Sequence, residues 1–497
     1  MSIVVVGNGM AGSRLVTELR ARDPKVPITV FGAESQQPYN RVLLSNVLAG
    51  HTRADHIALV DEAWYERQEV DVRSGVSVLS IDREARLVLA SDGSVTPYET
   101  LVLATGSTAF IPPMPVLRPG GREGLASEGL PSGALVFRTL EDCQEIIEMA
   151  RTARRAVVVG GGLLGIEAAR GLVGRGLEVT VLHLAGHLME RQLDPEGGRV
   201  LARTLDRLGI GSRLNAAVSA LRTAEGPEGE PVVCGVELAL PDGAREFVEA
   251  DLVVLSCGVK PEVSLARDAG LAVGRGILVD DELRSVGDPD VRAIGECCEH
   301  RDEVYGLVAP AWQQAEVLAG LLAGTEPAAR FTGAKQITRL KAASIELASM
   351  GETHHGDEDE EVEVLQFADS SRGTYKKVVI RDGRLIGAIL LGDTSTVGTL
   401  TQLYDRAAAL PSERLSLLFG GIGGAASADT PVRMPDAATV CHCNNVTKGR
   451  IRACWQEGAR TAGEVAEATR ASTGCGSCRD ALEGIVSWLQ EQESVDA

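Results

Sequence analysis

At 497 residues the chain is too long for one domain, and its 44% of apolar residues can build several cores. A formal net charge of −20, with no Lys/Arg cluster, sets the surface against a nucleic-acid backbone. No apolar run reaches the roughly 18 residues of a membrane helix. No leader peptide is visible ahead of a first strand at Ile3, so a cytoplasmic protein is expected. There, clustered cysteines read as metal ligands or redox groups rather than disulfides.

The first element is IVVVGNGMAG (3–12), a short apolar run closing on a glycine-rich turn. A helix follows, then a second strand, ITVFGAE (28–34). Gly7, Gly9 and Gly12 form G-x-G-x-x-G. The first glycine allows the tight turn, the second lets the backbone approach a pyrophosphate, and the third lets helix and strand pack closely. Met10 and Ala11 complete the turn, and Glu34, 22 residues after Gly12, is placed to bind ribose hydroxyls.

YETLVLATGSTAFIPP (98–113) is next, a strand with a Thr-Gly turn and a Pro-rich crossing. The opening pattern then recurs at RAVVVGGGLLGIEAARGLVGRGLEVTVLHL (155–184). Gly160, Gly162 and Gly165 repeat the spacing, with Leu163, Leu164 and Glu167 opening the helix. The second strand ends in His183 instead of an acid. The absence of Arg at 183–186 leans towards NADH, with Arg191 not far downstream. ADLVVLSCGVKPE (250–262), which includes Gly258, matches the earlier crossing, and VRAIGECCEH (291–300) is a late buried strand ending in Gly-Glu.

This order predicts a discontinuous first domain, 1–118 and 246–325, interrupted by a second at 119–245. Residues 330–417 read as alternating strands with a terminal helix, an α+β domain. The acidic run 357–361 within it reads as a solvated loop, and 418–437 as a flexible linker. A compact cysteine domain fills 438–497.

Two dinucleotide loops in one polypeptide suggest a flavin enzyme that also binds a nicotinamide cofactor. With ATGS (104–107) and the late Gly295-Glu296, the chain resembles the pyridine-nucleotide-dependent flavoprotein reductase superfamily. The resemblance implies two Rossmann-like domains, FAD at the first loop and NAD(P)H at the second. It places Ala104, Thr105, Gly106 and Glu296 at FAD, Arg41 and Ser45 near the flavin or its phosphates, and Val78 at the adenine. Glu167 would position the nicotinamide. The redox-active cysteine pair of the superfamily's disulfide reductases is missing from PYNRVLLSNVLAG (38–50) and from the helix after Gly160. Cys297 and Cys298 are adjacent, but a vicinal disulfide is strained and buried thiols are the stronger reading. Cys143, Cys234, Cys257 and Cys454 stand alone and read as buried filler.

Cys441 and Cys443 form C-x-C, and Cys475 and Cys478 form C-x2-C. Such spacing suits a soft metal or an iron–sulfur cluster, and structural zinc usually takes C-x2–4-C at both ends, which makes the C-x-C half atypical for it. CHCNNVT and TGCGSC resemble the bacterioferritin-associated ferredoxin-like [2Fe-2S] domain, a small helical module. That resemblance makes the four cysteines ligands and His442 a non-ligand.

PYNRVLLSNVLAG, HLMERQLD (187–194), GECCEHRDEVYGLVAPAWQQA (295–315) and RLKAASIELASMGE (339–352) narrow the resemblance. They are similar to the flavoprotein half of NAD(P)H-dependent assimilatory nitrite reductase large subunits and to the electron-transfer subunit of assimilatory nitrate reductase. The resemblance implies hydride transfer from NAD(P)H to FAD, then single electrons through [2Fe-2S] to a nitrate reductase catalytic subunit. No cysteine follows the cluster motif, so a sirohaem module is not expected and electrons must pass to another protein. Other acceptors (a separate sirohaem nitrite reductase, a rubredoxin or an oxygenase) and a non-catalytic redox sensor or iron–sulfur carrier stay open. The family's third domain often makes dimer contacts, which raises a homodimer as an expectation.

Overall fold

The computed structural model describes residues 2–118, 123–240, 243–342, 345–356, 358–419, 434–441, 446–472 and 478–496. Its largest sheet has eight strands, with Ile3–Val6 between Ile28–Gly32 and Thr100–Leu103. Both pairings are parallel, Ile3 opposing Ile28 and Thr100. All four residues of Ile3–Val6 are buried because the sheet is covered on both faces, which is why the strand is apolar throughout. The helices Met10–Arg22 and Val308–Leu322 pack together on it, although about 300 residues of chain separate them.

The second unit repeats this plan. Its parallel sheet runs Ala134–Val136, Leu252–Leu255, Arg155–Val159, Glu178–Leu182 and Ile210–Arg213. A five-stranded sheet containing the long hairpin Ala217–Glu225 and Pro231–Ala239 packs over it, Val236 and Leu238 sharing a core with Val157 and Val159. Here the expected boundary at 245/246 moves. Residue 246 falls inside the strand Arg245–Glu249, and Leu252–Leu255 pairs with Arg155–Val159 of the second sheet. The chain re-enters the first domain only after Leu255. Its crossing strand Val259–Pro261 pairs with the outgoing Ser107–Ala109, so the two matching segments meet each other.

Five antiparallel strands and the helix Val397–Arg406 make the third unit. It packs on the second, Tyr375, Ile389 and Leu391 joining the core that holds Leu201 and Leu205. Asp194, capping the helix Pro195–Arg207, accepts bonds from Tyr375 Oη at 2.5 Å and Lys377 Nζ at 2.8 Å. Residue 357 of the acidic run lies outside the described residues. Farther along that run Asp359, with Glu352, pairs His355.

The last unit holds the helices Lys448–Gln456, Ala462–Thr469 and Arg479–Asp496 around a separate small core. Thr447 caps the first helix, and Thr461 with Glu464 forms a capping box on the second. Most of the expected linker, 420–433, lies outside the described residues.

Candidate functional site

The first glycine loop is built by close approach. Gly7 has φ +112°, and a Cβ there would lie 2.1 Å from the Ala104 carbonyl oxygen. A Cβ on Gly12 would lie 1.9 Å from the Gly7 carbonyl oxygen. A Cβ on Gly9 would meet nothing within 4 Å. Two glycines are therefore demanded by the chain itself, and the third faces open space over a helix start. Gly9 is the N-cap of Met10–Arg22 without a side-chain cap, and no acid lies in the first turn. Unsatisfied amides and the helix dipole converge there, which fits a pyrophosphate.

Around the loop, Trp312 Nε1 donates to the Met10 carbonyl at 3.1 Å, Ala11 lies against Gly295, and Tyr65 Oη donates to Asn8 Oδ1 at 3.0 Å. Asn8 Nδ2 is buried without a protein partner, an orphaned donor beside the cradle. Glu34 does not stand alone at its strand end. Arg41 pairs with it, and Tyr39 Oη donates to it at 2.7 Å. Thr105 Oγ1 donates to the Glu262 carbonyl at 2.7 Å, and Gly106 takes φ +71°. Val78 packs at the edge of the first core.

The second loop superposes the same chemistry. Gly160 has φ +116°, its added Cβ would lie 2.1 Å from the Ser256 carbonyl oxygen, and that of Gly165 1.9 Å from the Gly160 oxygen. Gly162 faces open space and caps Leu163–Gly174, again with no acid in the first turn. Leu163 and Leu164 pack against the second core, and Gly258, at φ +97°, faces open space. His183 is buried at the strand end, its Nδ1 accepting from Gly161 N–H at 3.1 Å and its Nε2 2.9 Å from Glu190.

Ser45 and Glu167 join the two units. The Ser45 hydroxyl bonds the Glu167 carboxyl, and burial pushes that carboxyl up to about 7 against the opposing pull of Ser45. Ser45 lies on the helix Leu44–Leu48, which follows the first loop in sequence yet buries Leu44, Val47 and Leu48 in the second core. Glu296 also crosses the units. It pairs with Arg138 and accepts from Ser107 Oγ at 2.6 Å. Arg138 escaped the sequence reading because its partner lies 158 residues away.

Cys441 and Cys478 are 2% and 5% exposed and belong to one small core. Cys443 and Cys475 lie outside the described residues, as does His442. The two described cysteines thus bring opposite ends of the motif into the same core. Cys297 and Cys298 are fully buried free thiols, both held above the usual thiol range by desolvation. Cys297 donates to the Leu103 and Ile294 carbonyls, a packing role. Cys143 and Cys454 are buried as expected, whereas Cys234 and Cys257 are only half-buried. A hollow of about 610 Å³ on the third unit, lined by Lys335, Glu352, Arg381 and Tyr404 among others, contains none of the predicted site residues.

A family model described as pyridine nucleotide-disulphide oxidoreductase matches residues 1–315. One described as rubredoxin NAD+ reductase C-terminal domain matches 337–407, and one described as BFD-like [2Fe-2S] binding domain matches 439–488. The chain is 36% identical to a nitrite reductase (NAD(P)H) of Bacillus subtilis, over 97% of this chain and 57% of the relative. It is 34% identical to the assimilatory nitrate reductase electron transfer subunit of the same organism, over 99% and 60%. A ferredoxin reductase from Rhodopseudomonas palustris superposes with a TM-score of 0.69 at 26% identity, covering 82% of this chain and 97% of that one. The chain spans roughly half to three-fifths of the length of the nitrite and nitrate reductase relatives it matches first. These matches give it FAD, NAD(P)H and a [2Fe-2S] cluster as cofactors.

Proposed function

The chain belongs to the pyridine nucleotide-disulphide oxidoreductase family, and on that premise we propose that it is an NAD(P)H-dependent electron-transfer reductase serving an assimilatory nitrate reductase catalytic subunit. The observation that carries this reading is the pair of equivalent open glycine cradles, in two units joined by the Ser45–Glu167 bond, on a chain that also carries a module with buried Cys441 and Cys478. Bound flavin supplies the exchange between a hydride and single electrons, which a nicotinamide cannot make with an iron–sulfur cluster directly.

The protein's own residues position and insulate. Gly7, Gly9 and Gly12, with Met10 and Ala11, present amides to the FAD pyrophosphate, and Gly160, Gly162 and Gly165 do so for NAD(P)H. Glu34 and Val78 take the FAD adenosine end. Ala104, Thr105, Gly106 and Glu296 hold the flavin side, where Arg138 fixes the Glu296 carboxylate. Glu167 would position the nicotinamide, and hydride transfer needs positioning rather than a general base. Cys441, Cys443, Cys475 and Cys478 ligate the cluster. The protein acts in the cytoplasm, and its third unit is a candidate dimer contact.

Anaerobic titration of the reconstituted protein with NADH tests the reading. The flavin absorbance should bleach first and the cluster bands next, and the reduced protein should support nitrate reduction by a nitrate reductase catalytic subunit. Failure to reduce either chromophore would sink it. The match of 337–407 to a rubredoxin reductase domain favours one second reading, a rubredoxin-type acceptor. Oxidation of the reduced protein by rubredoxin and not by nitrate reductase would select it.

A further inference from the structure

The second cradle lacks a carboxylate at its strand end, yet the fold brings one there by another route. Strand Glu178–Leu182 delivers His183, and the following turn returns Glu190 to it. That turn is fastened at several points. Met189 takes a left-handed backbone, φ +54°, and its N–H donates to the Gly161 carbonyl at 3.0 Å. The Gln192 and Leu193 amides both donate to the Met189 carbonyl at 2.8 Å. From the third unit, His354 Nε2 lies 2.8 Å from the Glu190 carbonyl oxygen, and Ser349 Oγ donates to the Gln192 carbonyl at 2.9 Å. The loop is thus bound to the glycine turn on one side and to the third unit on the other.

Hydrogen bonding also sets the imidazole. The Gly161 N–H donates to Nδ1, so Nδ1 is the bare nitrogen and the proton sits on Nε2. Nε2–H then donates to Glu190 Oε2 at 2.9 Å. His183 is buried, while the Glu190 side chain stays 41% exposed. A buried histidine thereby holds the Glu190 carboxylate beside the glycine turn, with part of it still open to solvent. In a dinucleotide-binding fold the adenosine ribose lies at this strand end. A carboxylate accepts hydrogen bonds from a free ribose diol and repels a 2′-phosphate.

Resting on the proposed reductase reading, we propose that Glu190, positioned by His183, makes the second cradle selective for NADH over NADPH. Glu190 does for the second nucleotide what a strand-end acid ordinarily does, from a loop seven residues farther along. Arg191, the nearest downstream cation, is exposed and does not reverse the preference.

The test is calorimetric binding of ADP-ribose and of 2′-phospho-ADP-ribose to the FAD-loaded protein. Neither ligand carries a hydride, so failure of turnover cannot obscure the result. The wild type should bind ADP-ribose at least tenfold more tightly than its 2′-phosphate. Glu190→Gln should shrink that gap roughly tenfold, and Glu190→Ala by more, since charged hydrogen bonds are stronger than neutral ones. Arg191→Ala should leave the gap in place. His183→Ala should weaken ADP-ribose binding, with kcat for NADH oxidation changing less than KM. Equal wild-type affinities, no binding of either ligand, or an unchanged gap in Glu190→Gln would overturn the proposal. Discrimination between the ligands without any NADH oxidation would leave this inference standing and sink the reductase reading.

Discussion

The guanidinium of Arg470, in the cysteine module, donates to the backbone carbonyl of Leu59 in the first unit. Arg470 is the left-handed C-cap of Ala462–Thr469, five residues before Cys475. Desolvation and the neighbouring Arg14 lower its pKa, and Tyr65 raises it. Tyr65 in turn donates to Asn8 inside the first glycine loop. The module keeps its own core and meets the flavin domain at this polar contact, beside the like charge of Arg14. Arg470→Ala should therefore slow cluster reduction roughly tenfold, the loss of about 1.4 kcal/mol of docking energy, while NADH still reduces the flavin at the wild-type rate. Stopped-flow absorbance at flavin and cluster wavelengths separates the two steps. Equal cluster rates in both proteins would rule out a docking role.

Glu167 makes a prediction whose sign follows from burial. Its carboxyl ordinarily titrates at 4.5 and is pushed up to about 7 in the folded chain. Between those values the folded state holds a proton that the unfolded state has released, so stability falls as pH rises, and levels off above about 7. Glu167→Gln removes this dependence while keeping a partner for Ser45. Its stability advantage over the wild type should grow by up to roughly 2 kcal/mol between pH 5 and pH 8. Thermal melts of the FAD-loaded proteins at the two pH values measure it. A constant difference would mean that the carboxyl is not held protonated.

The parts of the site written locally were legible, and the parts made by distant contacts were not. Gly12 and Gly165 answer to backbone approaches within one strand–turn–helix, and Gly7 and Gly160, which face the distant carbonyls of Ala104 and Ser256, are legible because they share the same spaced motif. The cysteine module was equally readable because motif and helices are contiguous. Arg138 was invisible because Glu296, its partner, returns 158 residues later in the turn Gly295–Cys297. His183 was read without Glu190 because only the left-handed turn at Met189 brings the pair together. The 245/246 boundary failed for a related reason. Leu252–Leu255 is apolar on both faces, as any buried parallel strand is, and nothing in its composition says which sheet it joins.

Asp194 ties the second unit to the third and should be costly to neutralise. Burial opposes its charge, but bonds from Lys377, Tyr375 and the Gly197 N–H hold the carboxyl below its ordinary value. A depressed carboxyl adds stability above its unfolded value, and that stability is lost as pH falls through the folded one. Asn is a good N-cap, so Asp194→Asn isolates the ion pair. We expect a loss of about 2–4 kcal/mol at pH 7, since Lys377 is left buried without its counter-charge. The gap should narrow below about pH 4. Urea denaturation across that range measures it, and a loss independent of pH would contradict the ionic assignment.

Gly9 and Gly12 differ in what demands them, and that difference can be measured. A Cβ on Gly12 would sit 1.9 Å from the Gly7 oxygen, so Gly12→Ala must displace strand or helix. Overpacking of this kind costs about 1–3 kcal/mol, and more where backbone must move. Gly9 has φ −84° and an added Cβ would touch no protein atom, so Gly9→Ala should change apoprotein stability by less than about 1 kcal/mol. Its methyl would instead stand where the pyrophosphate must approach the backbone. Gly9→Ala should consequently melt like the wild-type apoprotein yet bind FAD at least tenfold more weakly, whereas Gly12→Ala should lose both stability and flavin. Apoprotein melting together with flavin fluorescence titration distinguishes the two. Full FAD affinity in Gly9→Ala would show that the open face of the loop is not the pyrophosphate cradle.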